Sequence, residues 1–332
     1  MNPKIDQINS NHDGFTLVEI MVGLAIGMFA TLVIMQVLSV FEAQKRTTTG
    51  TADAQTNGSI ALHNIVREMS LAGYPLMPIT NSPLECTTVT YGATGISSIS
   101  PISIVDGAGG VSDTITIRYG NTAMGGVPTE ITGVGASANE RTVNNSFGCQ
   151  MNDVVLITNS TTCALTTATA ISAASASPAT ITLQETTNAT AGGNLACLGR
   201  WDEISYVVNS QNLEREGVPA IAGIMNMQAQ YGISATAASN QVTEWVDATG
   251  AWVNPSVANR NRIKAVRLAV VARNNKLEAS NVTNAISAWT GSASSPSPAI
   301  DLSADANWQR YRYRVFETIV PLRNVIWSKD TL

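Results

Sequence analysis

Charge and aromatics are scarce in this chain. Asp, Glu, Lys and Arg make up 13% of its 332 residues, and Phe, Trp and Tyr only 5%. The net charge of −5 gives the chain as a whole no attraction for nucleic acid. Histidine is nearly missing, with only His12 and His63 present, so Ser-His-Asp and Cys-His catalytic sets have no base to draw on. No GxxxxGK[ST], HExxH or GxSxG segment occurs, which removes the phosphate-cradling loop, the zinc protease helix and the hydrolase elbow. None of the four cysteines forms a CxxC pair, so zinc-ribbon spacing is absent. Asp301 and Asp305 in DLSADANW offer carboxylate oxygens, but not in the EF-hand pattern. No catalytic residue, no metal ligand set and no cofactor is expected, and the chain reads as a non-enzyme.

Proline is absent from Phe15 to Ala72, and no charged residue falls between Ile20 and Phe41. A helix over those 22 residues would rise about 33 Å, enough to cross a hydrocarbon core. Glu19 stands at the edge of this run. A carboxylate in a membrane segment costs about 2.5–3.5 kcal/mol on insertion scales, so it marks function. Residues 1–14, MNPKIDQINSNHDG, are polar throughout. A secretory signal places its apolar core before the cleavage site; here a polar leader comes first and the apolar core follows. Cleavage after Gly14 would leave the anchor on the mature protein. Gly23 and Gly27 form a GxxxG pair, read either as a close-approach surface for a second helix or as the ordinary tolerance of glycine in membrane helices.

The block GFTLVEIMVGLAIGMF, residues 14–29, resembles the type IV prepilin processing signature. The resemblance implies that Gly14 is the last leader residue, read by a prepilin peptidase. Phe15 is then the new N-terminus, normally N-methylated, and Glu19 pairs with a neighbouring subunit's N-terminal amine during assembly. Two positions depart from the family. The leader balances Lys4 against Asp6 and Asp13 instead of being net basic, and position 36, where many major pilins have a helix-kinking proline, is Gln36. Lys45 and Arg46 follow the run and by the positive-inside rule alone would argue for a cytoplasmic C-terminus; the prepilin signature argues the reverse.

Beyond the anchor, Leu62, Ile65, Val66 and Met69 follow helical spacing. The Gly- and Thr-rich stretch 47–58 is a weak waist in one long helix, and Gly73-Tyr74-Pro75 stops it. Strands are expected at 113–120, 153–159, 179–184, 203–209, 213–217, 224–233, 263–273 and 311–327. The Gly-, Ser-, Thr- and Ala-rich tracts 105–112, 120–138 and 160–178 read as surface loops or short edge hairpins. Arg310, Arg312 and Arg314 alternate with Tyr311 and Tyr313, read as an amphipathic strand with tyrosine inward. An even number of cysteines beyond a membrane anchor implies two disulfides in an oxidising compartment. The short separation of Cys149 and Cys163 favours a local bridge, leaving Cys86 with Cys197.

The segment IVREMSLAGY (65–74), and the series Tyr206, Leu213, Arg215, Met227-Gln228, Gln230-Tyr231-Gly232, Val266-Arg267 and Pro321-Leu322-Arg323-Asn324, resemble the minor pilins called PilW. The expected fold is α+β: a long N-terminal transmembrane and spine helix, then a β-rich head whose antiparallel sheet packs on the helix's C-terminal half. The expected division is a leader at 1–14, a transmembrane helix at 15–41, its continuation on the head at 42–74, and the head at 75–332. The resemblance implies a minor pilin that takes part in pilus assembly. Its partners would be prepilin peptidase, other minor pilins, the major pilin, the inner-membrane assembly machinery and membrane lipid, with the head periplasmic and later at the cell surface. A minor pseudopilin of a type II secretion system, or a pilus-associated adhesin or DNA-binding subunit, stays open as an alternative.

Overall fold

A computed structural model describes residues 14–327 apart from 77–85, 93, 160–161, 174, 188 and 293–294. The expected leader therefore lies outside the described residues except for Gly14. Helix α1 (Leu17–Met69) comes first. It is followed by β1 (Thr88–Tyr91), β2 (Ile102–Val105), β3 (Thr114–Gly120), β4 (Thr129–Val134), β5 (Glu140–Val143), β6 (Val154–Asn159), β7 (Thr162–Ile171) and β8 (Ala179–Leu183). Then come β9 (Asn194–Gly199), β10 (Trp201–Asn209), β11 (Asn212–Arg215), β12 (Val218–Ala222), β13 (Ile224–Ser234) and β14 (Val242–Val246). A short α2 (Val257–Arg260), β15 (Ile263–Arg273), β16 (Tyr313–Pro321) and α3 (Arg323–Trp327) end the described chain.

The chain divides into a unit of residues 1–50 and a unit of residues 51–332. In the first, α1 includes the start of the Thr-rich waist. There Thr47 and Thr48 hydroxyls donate back to the carbonyls of Ala43 and Gln44, which satisfies side chains that would otherwise compete with the helix backbone. The apolar run is one helix long and apolar enough to cross a membrane, with none of its most apolar window buried in protein.

In the second unit, the last turns of α1 bury Ala54, Gly58, Ala61, Ile65, Glu68 and Met69. The buried stripe is centred one position away from the expected one: Leu62 and Val66 pack only at its margin, and His63 is exposed. Gly58 permits a close approach, since a Cβ there would lie 2.2 Å from the Phe316 ring of β16. The sheet against this face has the order β14-β13-β15-β16. β15, IKAVRLAVVAR, is buried along its whole length, as expected of an apolar strand covered on both faces. A five-stranded sheet, β12-β11-β10-β3-β2, adds to the same core.

The third sheet has the order β1-β7-β6-β9-β4-β5-β8, and β8 also pairs with β7. Six of its strands thus close into a ring. Closure leaves only β1 at an edge, where it pairs in parallel with the first half of β7. Ile131, Val143, Val155, Ala168, Ile181 and Leu195, one from each strand of the ring, form its interior with their neighbours. Almost all of this barrel is an insertion, because Gly120 of β3 and Trp201 of β10 lie directly opposite each other in the five-stranded sheet. The chain leaves that sheet at one paired residue and returns at the other.

Four expectations are corrected. The tract 160–178, read as loop, contains β7, which buries Cys163, Leu165, Thr166 and Ala168. Inside the barrel, Ala164 and Ala168 of β7 pack beside the larger Ile131, Val155, Ile181 and Leu195 of the other strands. The tract 120–138 likewise contains β4. The segment 311–327 is not one strand: it turns at Pro321 and ends in α3. Finally, the disulfides are Cys86–Cys163, with Cα atoms 5.8 Å apart, and Cys149–Cys197, at 5.2 Å, not Cys149–Cys163 and Cys86–Cys197. Sheet alternation gives the reason. Across β6, Cys163 lies opposite Thr158 and Cys197 opposite Val155. An odd spacing puts the two cysteines on opposite faces of the barrel wall. Cys163 and Cys86 therefore belong to the core shared with the helix, and Cys197 and Cys149 to the barrel interior.

Candidate functional site

The first feature is the start of α1. Gly14, Phe15 and Thr16 precede the first helical residue, and Phe15 is 85% exposed. Glu19 Oε2 accepts from the Thr16 backbone N–H at 2.9 Å and from its hydroxyl at 2.9 Å, while the Glu19 N–H donates to Thr16 Oγ1 at 3.3 Å. This is a capping box, T-x-x-E, which satisfies helix donors that have no partner in the preceding turn. The spacing was visible in the sequence but was not read as a cap. Both bonds fall on Oε2. Oε1 has no partner among the described residues and remains available to a cation. At Gly23 and Gly27 nothing lies within 4 Å of where a Cβ would be, so neither glycine is packed within the chain.

The second feature is the anchor of α1 on the head. Glu68 Oε1 meets Arg215 Nη2 at 2.9 Å and Nε at 3.0 Å. Its Oε2 accepts from the Tyr206 hydroxyl at 2.8 Å. Burial and this bond raise the Tyr206 phenol well above its usual range. Tyr206 and Arg215 face each other across β10 and β11, so one carboxylate clamps both strands to the helix.

The third lies on the sheet face away from α1. Asn226, Gln228 and Gln230 make a buried polar row along β13. Their amides donate to loop carbonyls of Gly110, Val111 and Pro296 at 2.9, 2.8 and 3.1 Å. Arg267 Nε donates to Gln230 Oε1 at 2.7 Å. Its guanidinium lies between the rings of Trp245, at 5.1 Å, and Trp289, at 4.3 Å. Desolvation pushes its pKa down to about 10. Trp245 in turn packs over Gly232, where a Cβ would come within 2.7 Å of the ring. Arg273 stacks on Tyr311 at 4.1 Å and pairs with Asp305 at 2.8 Å. Asp305 is thus engaged by an arginine. The expected face-sharing of Arg310, Arg312 and Arg314 is partial: Arg310 sits in a helical turn before β16, while Arg312 and Arg314 are exposed beside half-buried tyrosines.

Asp113 is buried beneath the same loops and accepts from the N–H groups of Gly107 at 2.9 Å and Ala229 at 2.7 Å. Desolvation, reinforced by Asp106 and Asp247, raises its pKa to about 7. A raised carboxyl favours the folded state when protonated. That stability is complete below about pH 4 and is lost as pH rises through about 7. In detergent-solubilised protein, the unfolding free energy should fall by at most about 1.4 kcal/mol per pH unit between those limits. Asp113→Asn should flatten this slope. A slope unchanged in that variant would refute the assignment to Asp113.

Comparison with known families adds two matches. Residues 186–324 match PilW, the type IV pilus-assembly protein W family. Residues 9–35 match the prokaryotic N-terminal methylation motif. No curated protein matches the chain, and no solved structure does. The PilW match begins just before β9 and ends in α3, so it takes in the four-stranded sheet, β10, β11 and β12 of the five-stranded sheet, and only β9 of the barrel. The two matches, one over the second half of the head and one at the helix start, are those of a PilW-type type IV pilin, which this chain resembles at both ends.

Proposed function

We propose that the chain is a minor pilin, cut after Gly14, methylated on Phe15, and drawn from the inner membrane into a pilus by pairing of Glu19 with a neighbouring subunit's N-terminal amine. The reading divides it into a leader at 1–14, a transmembrane helix at 15–41, a continuation at 42–74 and an exported head at 75–332. Prepilin peptidase, other minor pilins and the major pilin are its partners, and assembly, including initiation at the tip, is its work. The observation that carries this reading is the register of the helix start. The Gly14–Phe15 bond is exposed outside the helix, and Glu19 caps the first turn with one oxygen while the other has no partner among the described residues. An unpaired carboxylate at a membrane edge is costly, and a cation from the next subunit offsets that cost.

Mass spectrometry of the membrane-bound protein should find an N-terminus at methylated Phe15. Glu19→Gln can keep an oxygen for the cap but removes the charge, and Glu19→Ala removes both. Both variants should be cleaved and inserted normally, and both should lower the ratio of this protein in sheared filaments to that in membranes. A wild-type ratio for Glu19→Gln would refute charge pairing, and a mature protein beginning elsewhere would refute the processing.

A further inference from the structure

β16 is an open edge. Its register with β15 runs without a bulge from Ala265↔Pro321 to Arg273↔Tyr313. Asn274 N–H donates to Arg312 O at one end, and Leu322 N–H to Lys264 O at the other. These bonds fix the parity: even-numbered residues exchange hydrogen bonds with β15, and odd-numbered ones point their backbone groups away from the sheet. The N–H groups of Tyr313, Val315, Glu317 and Ile319 therefore face outward, with no backbone partner among the described residues. Pro321 occupies the next outward position, where it has no donor to lose.

The other edges of the two open sheets are blunted. In β14, the Trp245 N–H donates to Ser295 Oγ at 2.9 Å. In β2, the Ile104 N–H donates to the Tyr231 hydroxyl at 2.7 Å. β12 is short and carries Pro219. β16 is long, and its side chains fit a docking role: Ile319 is 58% exposed, and Arg314 is exposed without an ion pair or hydrogen bond among the described residues. Exposed strand edges of this length act as templates for a further strand.

We infer that β16 accepts an extended polypeptide strand from a different subunit of the assembly, one with an acidic residue opposite Arg314 and an apolar residue opposite Ile319. Backbone bonds give such an addition its affinity, and cross-strand side chains give its selectivity. A second copy of this chain is a poor occupant. In a two-fold antiparallel pair of β16 with itself, odd residues face odd and even face even. Glu317 and Arg314 then project from opposite faces and never meet, so Arg314 gains no carboxylate. The inference rests on the pilin reading and names the surface through which the head joins its neighbours.

The test uses the full-length protein in membranes, without and with the other pilus subunits. Hydrogen exchange of the 313–321 segment should slow by about tenfold or more on assembly, as for amides newly bonded in a sheet. Ile319→Pro removes one outward donor and should lower the filament-to-membrane ratio by about tenfold. Arg314→Glu, which leaves the backbone alone, should also lower it, and Ile319→Ala should stay within about twofold. Exchange across β15 and intact disulfides show whether a variant is folded. Unchanged exchange in 313–321, or a wild-type ratio for a folded Ile319→Pro or for Arg314→Glu, overturns the inference alone. Protection found with this chain as the sole subunit overturns the choice of a different subunit. Absence of the wild-type protein from sheared filaments overturns the pilin reading itself.

Discussion

Replacing Cys86 and Cys163 together by Ala is expected to lower the unfolding free energy of the head by about 4–5 kcal/mol. The bridge spans 77 residues of sequence, and the chain-entropy account of a loop that long gives this magnitude. The loss should be local in origin. Cys86 precedes β1, whose strand partner among the described residues is the start of β7, so hydrogen exchange in β1 should rise first. Removing Cys149–Cys197, 48 residues apart, should cost slightly less, about 4 kcal/mol. Denaturation of each double variant in detergent measures the difference. Non-reducing peptide mapping checks the pairing directly: a Cys149–Cys163 peptide would overturn the assignment of faces across β6.

Glu68→Ala should cost about 3 kcal/mol. The carboxylate side chain is only 9% exposed. Removing one partner of such a pair leaves the other charge uncompensated, which typically costs 3–5 kcal/mol. Arg215 is 40% exposed and can turn toward water, so the lower end of the range applies. The buried Tyr206 hydroxyl would lose its acceptor as well. Tyr206→Phe alone should cost about 1 kcal/mol, since Glu68 then keeps Arg215. The Glu68–Tyr206 double-mutant cycle should show coupling. Strict additivity would mean that the two side chains do not act as one clamp. Because Glu68 lies on the helix and its partners on the head, the variant should also raise proteolysis near Ser70–Leu76 before the sheets unfold.

Local chemistry was legible in the sequence. The apolar run from Ile20 to Phe41, the glutamate at its edge and the polar leader before it depend only on residue order, so the anchor helix and its family resemblance could be read directly. The same holds for strands with strong alternation or a continuous apolar run, such as β3, β6 and β15, where burial demands a fixed pattern. Thr16-x-x-Glu19 was equally local and was simply not read as a cap.

What the tertiary structure decided depends on which face a residue presents. TCALTTATAI looks too small and polar to be a core strand, yet its Ala164 and Ala168 pack against larger residues of the other barrel strands, and only the pairing of β8 with β7 shows that the barrel closes. Cys149 and Cys163 are near in sequence, but alternation across β6 sends Cys163 and Cys197 to opposite sides of one wall. Glu68 reads as an ordinary exposed helix residue until Tyr206 and Arg215 arrive from strands more than a hundred residues away. The open edge of β16 exists because Tyr313–Pro321 finds one strand neighbour among the described residues, β15. Helix starts and membrane spans are set by contacts a few residues apart. Sheet faces, disulfide partners and edges are set by pairings between distant strands, and the sequence does not encode these pairings one residue at a time.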